Sequence, residues 1–139
     1  MQIVRAAVDA VIPAVDGQPG AADLDVQRHV VEAIDGFLPG FVDLLTTLLD
    51  AYAADVRSGA SFLELNPDER RGVLRLMSLE ENPDMRDVID GLLVFTYGGM
   101  YSEWTGYDRA TGALTAPAVW ESIGFLGPAK GHPDRREDL

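Results

Sequence analysis

The stretch Phe41-Val42-Asp43-Leu44-Leu45-Thr46-Thr47-Leu48-Leu49-Asp50-Ala51-Tyr52-Ala53-Ala54-Asp55-Val56 decides the fold. Phe41, Leu44, Leu45, Leu48, Leu49, Tyr52, Ala53 and Val56 recur at intervals of three and four, while Asp43, Asp50 and Asp55 fall off that stripe. An apolar stripe at this period is the mark of an amphipathic helix with one face in a core. Ser58-Gly59 closes it. This helix is expected to be a central core helix of an all-α domain.

Its neighbours repeat the pattern. Towards the N-terminus, Ile3, Val4, Ala7, Val8, Val11 and Ile12 share a helical face, and Pro13 ends it. Asp16-Gly17-Gln18-Pro19-Gly20 is turn chemistry. A helix is expected from Asp25 to Ile34, ended by Gly36 and Leu38-Pro39-Gly40. Downstream, Asn66-Pro67-Asp68-Glu69 combines a cap, a first-turn proline and a capping-box acid. Val73, Leu74 and Met77 follow as its core face, with Leu76 as a further candidate for it. Asn82-Pro83-Asp84 opens a fifth helix with the same device; its stripe is Met85, Val88, Ile89, Leu92, Leu93, Phe95 or Thr96, and Met100. Gly98-Gly99 falls late in that helix, where each glycine costs roughly 1 kcal/mol against alanine. Either the helix frays there or something packs against its backbone.

No strand-like alternation persists, and there is no internal repeat. The expectation is an all-α fold of about five helices in a small orthogonal or bundle-like domain over residues 1–104. Residues 105–130 read as an extended, aromatic segment of the same domain that wraps a partner, with a short turn of helix near Ala118 to Ile123. Residues 131–139 read as a mobile tail.

At 139 residues the chain is one domain, large enough to bury roughly 68% of its unfolded surface. Its 47% apolar content exceeds that of an acidic disordered segment. The formal charge of −12 disfavours nucleic acid and anionic lipid as partners. No apolar run approaches the roughly 18 residues of a membrane span. With no cysteine and two histidines, His29 and His132, disulfides, cysteine zinc sites and three-histidine metal sites are excluded. The N-terminus shows no signal peptide and no twin-arginine leader, so a cytoplasmic location is expected, with export only by a partner or after loss of a leader.

Chemistry is scarce. No G-x-S-x-G elbow accompanies His29, which beside Arg28 and Glu32 reads as structural. The acid pairs Asp23 with Asp25, Glu80 with Glu81 and Asp87 with Asp90 lie mostly near helix starts, where the helix dipole favours them. Gly98-Gly99 is no phosphate loop, and no nucleotide or metal site is expected. The aromatic crowd is the exception: Tyr97, Tyr101, Trp104, Tyr107, Trp120 and Phe125 occupy the last third. Tyr and Trp combine a large rigid area with a polar handle, and they concentrate at binding hot spots. Each could cap the helical core; together, in a long aperiodic segment, they suggest an interface. Ile123, Leu126 and Pro128 extend the expected contact, and Arg109 adds a polar rim.

Several stretches now combine. Gly99-Met100-Tyr101-Ser102, Gly106-Tyr107-Asp108 and Trp120-Glu121-Ser122-Ile123-Gly124-Phe125-Leu126-Gly127-Pro128, with the opening Val8-Asp9-Ala10-Val11-Ile12-Pro13 and Pro19-Gly20-Ala21, resemble the gluconate 2-dehydrogenase subunit 3 family. The resemblance runs from about Ile3 to Pro128, and its most specific piece is Trp-x-x-Ile-Gly-Phe. It implies a non-catalytic small (gamma) subunit that supports a large oxidoreductase of the glucose–methanol–choline (GMC) type. The large subunit would hold FAD and oxidise a sugar or related alcohol; this chain would hold no cofactor. Many members begin with a twin-arginine leader, which this chain lacks, and Leu126 stands where a proline is expected. Without cysteine the association would be non-covalent. The resemblance leaves room for a cytochrome subunit, though nothing in the residues calls for one.

Two other classes stay open. A transient helical chaperone or regulator would bind an export leader or another protein through the acidic faces. A small enzyme would work through paired acids and turn over substrate in isolation.

Overall fold

The computed structural model describes residues 1–127. Pro128 and the expected tail over 131–139 lie outside them. Six α-helices are described: α1 (Gln2–Val11), α2 (Val26–Phe37), α3 (Phe41–Val56), α4 (Pro67–Ser78), α5 (Pro83–Tyr101) and α6 (Ala118–Ser122). No strand occurs among the described residues, so the fold is all-α. No helix among them is long and apolar enough to cross a membrane.

The core collects one stripe from each long helix. Val4 and Val8 of α1, Val26, Val30 and Ile34 of α2, and Leu45 and Leu49 of α3 are buried. Val73 and Met77 of α4 and Val88, Ile89 and Leu92 of α5 complete it. The capping box at Asn66 forms as the sequence predicts: Glu69 N donates to Asn66 Oδ1 at 3.0 Å, and Asn66 N donates to Glu69 Oε2 at 2.8 Å. Asn82 Oδ1 likewise accepts from Asp84 N at 3.0 Å. Asn66→Ala should remove about 1 kcal/mol of stability. A urea titration checks it, and an unchanged midpoint would show that the box contributes nothing.

Three elements differ from expectation. First, α2 runs through Gly36 to Phe37. A lone glycine weakens a helix without stopping it, whereas Pro39 restricts the residue before it and ends the helix. Second, the segment between α3 and α4 forms a 3-10 turn over Phe62–Glu64 that inserts Phe62 fully into the core. Asp50 Oδ1 accepts from Phe62 N at 2.8 Å, and the Arg70 guanidinium lies 5.8 Å from the ring centroid. Third, the helix that touches every other is α5 rather than α3. Two glycines make this possible. A Cβ on Gly91 would stand 3.0 Å from Phe41 Cζ, and one on Gly99 would stand 2.6 Å from His29 Cδ2. Neighbours therefore press directly on the α5 backbone from two sides. On α3, by contrast, Leu44 of the expected core stripe is half exposed.

Candidate partner-binding face

The end of α5 is where the aromatic third is organised. Gly99 admits the His29 ring of α2 against the helix backbone. Trp104, in a 3-10 turn over Glu103–Gly106, packs on that ring with centroids 5.0 Å apart and planes tilted by 59°. The Arg109 guanidinium covers Trp104 at 4.2 Å from the ring centroid. It then returns to α2, donating from both terminal nitrogens to the two carboxylate oxygens of Glu32. Backbone of α5, imidazole, indole, guanidinium and carboxylate form one continuous stack.

This stack fixes the segment that follows. Water screens the exposed Arg109–Glu32 pair, so its main contribution is orientation. The bond to Arg109 holds the Glu32 carboxyl below its usual range and raises Arg109 in turn. Between Tyr107 and Leu114 the chain folds back on itself. Asp108 N donates to Ala113 O at 2.8 Å, and the Asp108 carboxylate accepts from Thr111 Oγ1 at 2.7 Å and Ala110 N at 2.9 Å. These bonds, the Thr111 hydroxyl foremost, lower the Asp108 pKa.

His29 is the member of the stack that titrates nearest neutral pH. Burial lowers its pKa below 6.5, partly offset by the nearby Glu32. A folded-state pKa below the unfolded one means that the unfolded chain binds the proton more readily. Stability should then fall as pH drops through 6.5 towards the lower folded value, and flatten below both. His29→Gln should flatten the slope of unfolding free energy between pH 7 and 5. An identical slope in the variant would remove His29 as its source.

A second anchor lies in α6. Trp120 is 8% exposed, its Nε1–H donates to Tyr101 O at 2.8 Å, and the Phe125 ring meets it edge-on at 4.9 Å. Of the residues expected at a partner contact, Trp120 is therefore engaged inside the chain's own fold. Trp104 is partly covered by His29 and Arg109, and Arg109 is paired with Glu32 while remaining exposed. Segment 105–127 packs back on the domain through these anchors. Tyr97, Tyr101, Tyr107, Ile123, Phe125 and Leu126 remain exposed, Leu126 completely. Tyr97 and Tyr101 lie stacked, with centroids 6.2 Å apart and planes 9° from parallel.

Two shallow grooves cross this end. One, of about 510 Å³, runs between His29, Trp104, Tyr107 and Leu114 and is mainly apolar. The other, of about 300 Å³, lies between Pro13, Val15, Tyr101 and Ile123. Neither Val15 nor Leu114 stood out in the sequence, because each is a single apolar residue in a turn. Val94, 65% exposed, was also missed. Its absence from the buried stripe of α5 was the available signal. Phe37 and Leu38 form another exposed apolar pair, at the α2–α3 corner. No cluster of three or more metal-ligating side chains occurs among the described residues.

A family model described as Gluconate 2-dehydrogenase subunit 3 matches residues 1–127. No curated protein and no solved structure matches the chain.

Proposed function

The chain belongs to the gluconate 2-dehydrogenase subunit 3 family, and we propose that it is the non-catalytic small subunit of an oxidoreductase, binding and stabilising a large FAD-dependent subunit of the GMC type. The large subunit holds the FAD and oxidises a sugar or related alcohol. This chain contributes surface. The observation that carries the proposal is the exposed face of Tyr97, Tyr101, Ile123, Phe125 and Leu126, held on a frame anchored by Trp104 and Trp120. Fixed aromatic side chains lose little conformational entropy on binding, which suits a stable interface. The absence of cysteine makes the association non-covalent.

Co-expression with a GMC-type flavoprotein encoded beside this chain tests the proposal. The two should co-elute in size-exclusion chromatography, and flavoprotein expressed alone should be less soluble or lose activity faster. A large subunit equally soluble and active without this chain would overturn it. Turnover of a sugar or alcohol by the isolated small chain would overturn the non-catalytic assignment.

A further inference from the structure

The outward face of α5 carries a line of side chains that the core does not use. Asp87, Asp90, Val94, Tyr97 and Tyr101 follow at spacings of three and four, so they share one helix face, and all five are exposed. The opposite face supplies Val88, Ile89, Leu92, Thr96 and Met100 to the interior. At its C-terminal end the line meets the groove that Tyr101 shares with Val15 and Ile123. From Asp87 to Tyr101 the seam is about 21 Å long, close to four helical turns.

The seam is graded. Its C-terminal half is apolar and aromatic, with Val94 65% and Tyr97 48% exposed. Its N-terminal half is acidic. Among the described residues neither Asp87 nor Asp90 lies within ion-pair distance of a cation, Arg86 one turn before Asp90 included. The helix dipole is a weak reason for these acids. It acts mainly within the first turn, where Asp84 already sits.

We infer that this seam receives an amphipathic helix of the large subunit, whose apolar stripe lies on Val94, Tyr97 and Tyr101 and whose arginine or lysine residues lie over Asp87 and Asp90. The inference rests on the proposed assembly and adds the element, its charge and its direction. Charge selects the occupant. Two carboxylates that find no ion-pair partner among the described residues, in line with an apolar strip, complement a helix that is apolar at one end and basic at the other. A second copy of this chain brings another −12 to the contact, which opposes self-association through this face. Length suits a helix of about four turns, and the groove beside Tyr101 takes a large side chain at its apolar end. The gradient from acid to aromatic sets the orientation, since reversal sets apolar side chains on carboxylates.

The test uses the full chain with the co-expressed flavoprotein. Val94→Glu and the double variant Asp87→Lys/Asp90→Lys should each weaken the complex at least tenfold. The wild-type affinity should fall as salt rises. Phe37→Ser, an exposed apolar position off the seam, should bind within twofold of wild type. All these positions are exposed, and unchanged thermal melts confirm that the fold persists. A photo-crosslinker at Val94 should join a helical, arginine- or lysine-bearing segment of the large subunit. Seam variants that bind within twofold, in a complex that otherwise forms, overturn the seam and leave the assembly standing. Wild-type chain that binds no flavoprotein overturns both.

Discussion

Trp120→Ala should destabilise the C-terminal segment by about 3 kcal/mol and weaken complex formation, although Trp120 itself presents almost no surface to a partner. The indole is buried and bonded to the Tyr101 carbonyl, and Phe125 leans on its edge. Removing it leaves a cavity beneath a five-residue helix that nucleates poorly without tertiary support. Because α6 lies at the periphery and packs chiefly on α5, the loss should be local. Far-UV circular dichroism should change little, while limited proteolysis should cut between Ala118 and Gly127. Ile123 and Phe125 then lose their fixed positions, and with them the pre-organised part of the face. Trp120→Phe separates two contributions. It keeps the ring packing and loses the hydrogen bond, for about 1 kcal/mol. Wild-type protease resistance in the alanine variant would show that Trp120 anchors nothing.

Phe62→Ala should have the opposite character, a global loss with the partner face left intact. Phe62 is fully buried where α1, α3 and α4 meet its 3-10 turn. Truncating such a ring costs about 4 kcal/mol, a large share of the roughly 5–15 kcal/mol that holds an ordinary domain together. The urea midpoint should fall sharply with no new protease site near α6. At a temperature where the variant stays folded, its affinity for the large subunit should match wild type. An unchanged midpoint would mean that the cavity collapses without cost. A weakened complex in the folded state would mean that the two ends of the domain are coupled.

The contrast between these two aromatics shows what was legible. Most of the helical framework could be read from residues that act locally. Asn66 and Asn82 cap their own helices, the prolines that follow them suit a first turn, and the apolar intervals state which face turns inward. Phe62 escaped because the run Phe62-Leu63-Glu64-Leu65 in a short connection is too brief to show a period. α5 escaped as the hub because its role depends on Gly91, which carries no signal of its own, and on Gly99, where the sequence leaves fraying and close packing equally open until His29 is seen against it.

The site divides along the same line. That the last third carries an aromatic concentration is plain from the residues. Which aromatics face out is a matter of pairing between distant positions. Arg109 is taken by Glu32, 77 residues away, and Trp120 by the Tyr101 carbonyl, 19 residues away. Neither pair leaves a trace in local spacing. Composition, caps and periodicity alone determined an acidic, cysteine-free, all-α chain with an aromatic end. The tertiary structure alone decided that Trp120 is buried framework, that Trp104 and Arg109 are tied to α2 while still reaching the surface, and that Tyr97, Tyr101, Tyr107, Ile123, Phe125 and Leu126 are exposed. The physical reason is that helix formation is set by neighbours within a turn or two, whereas burial is set by whatever the folded chain brings alongside.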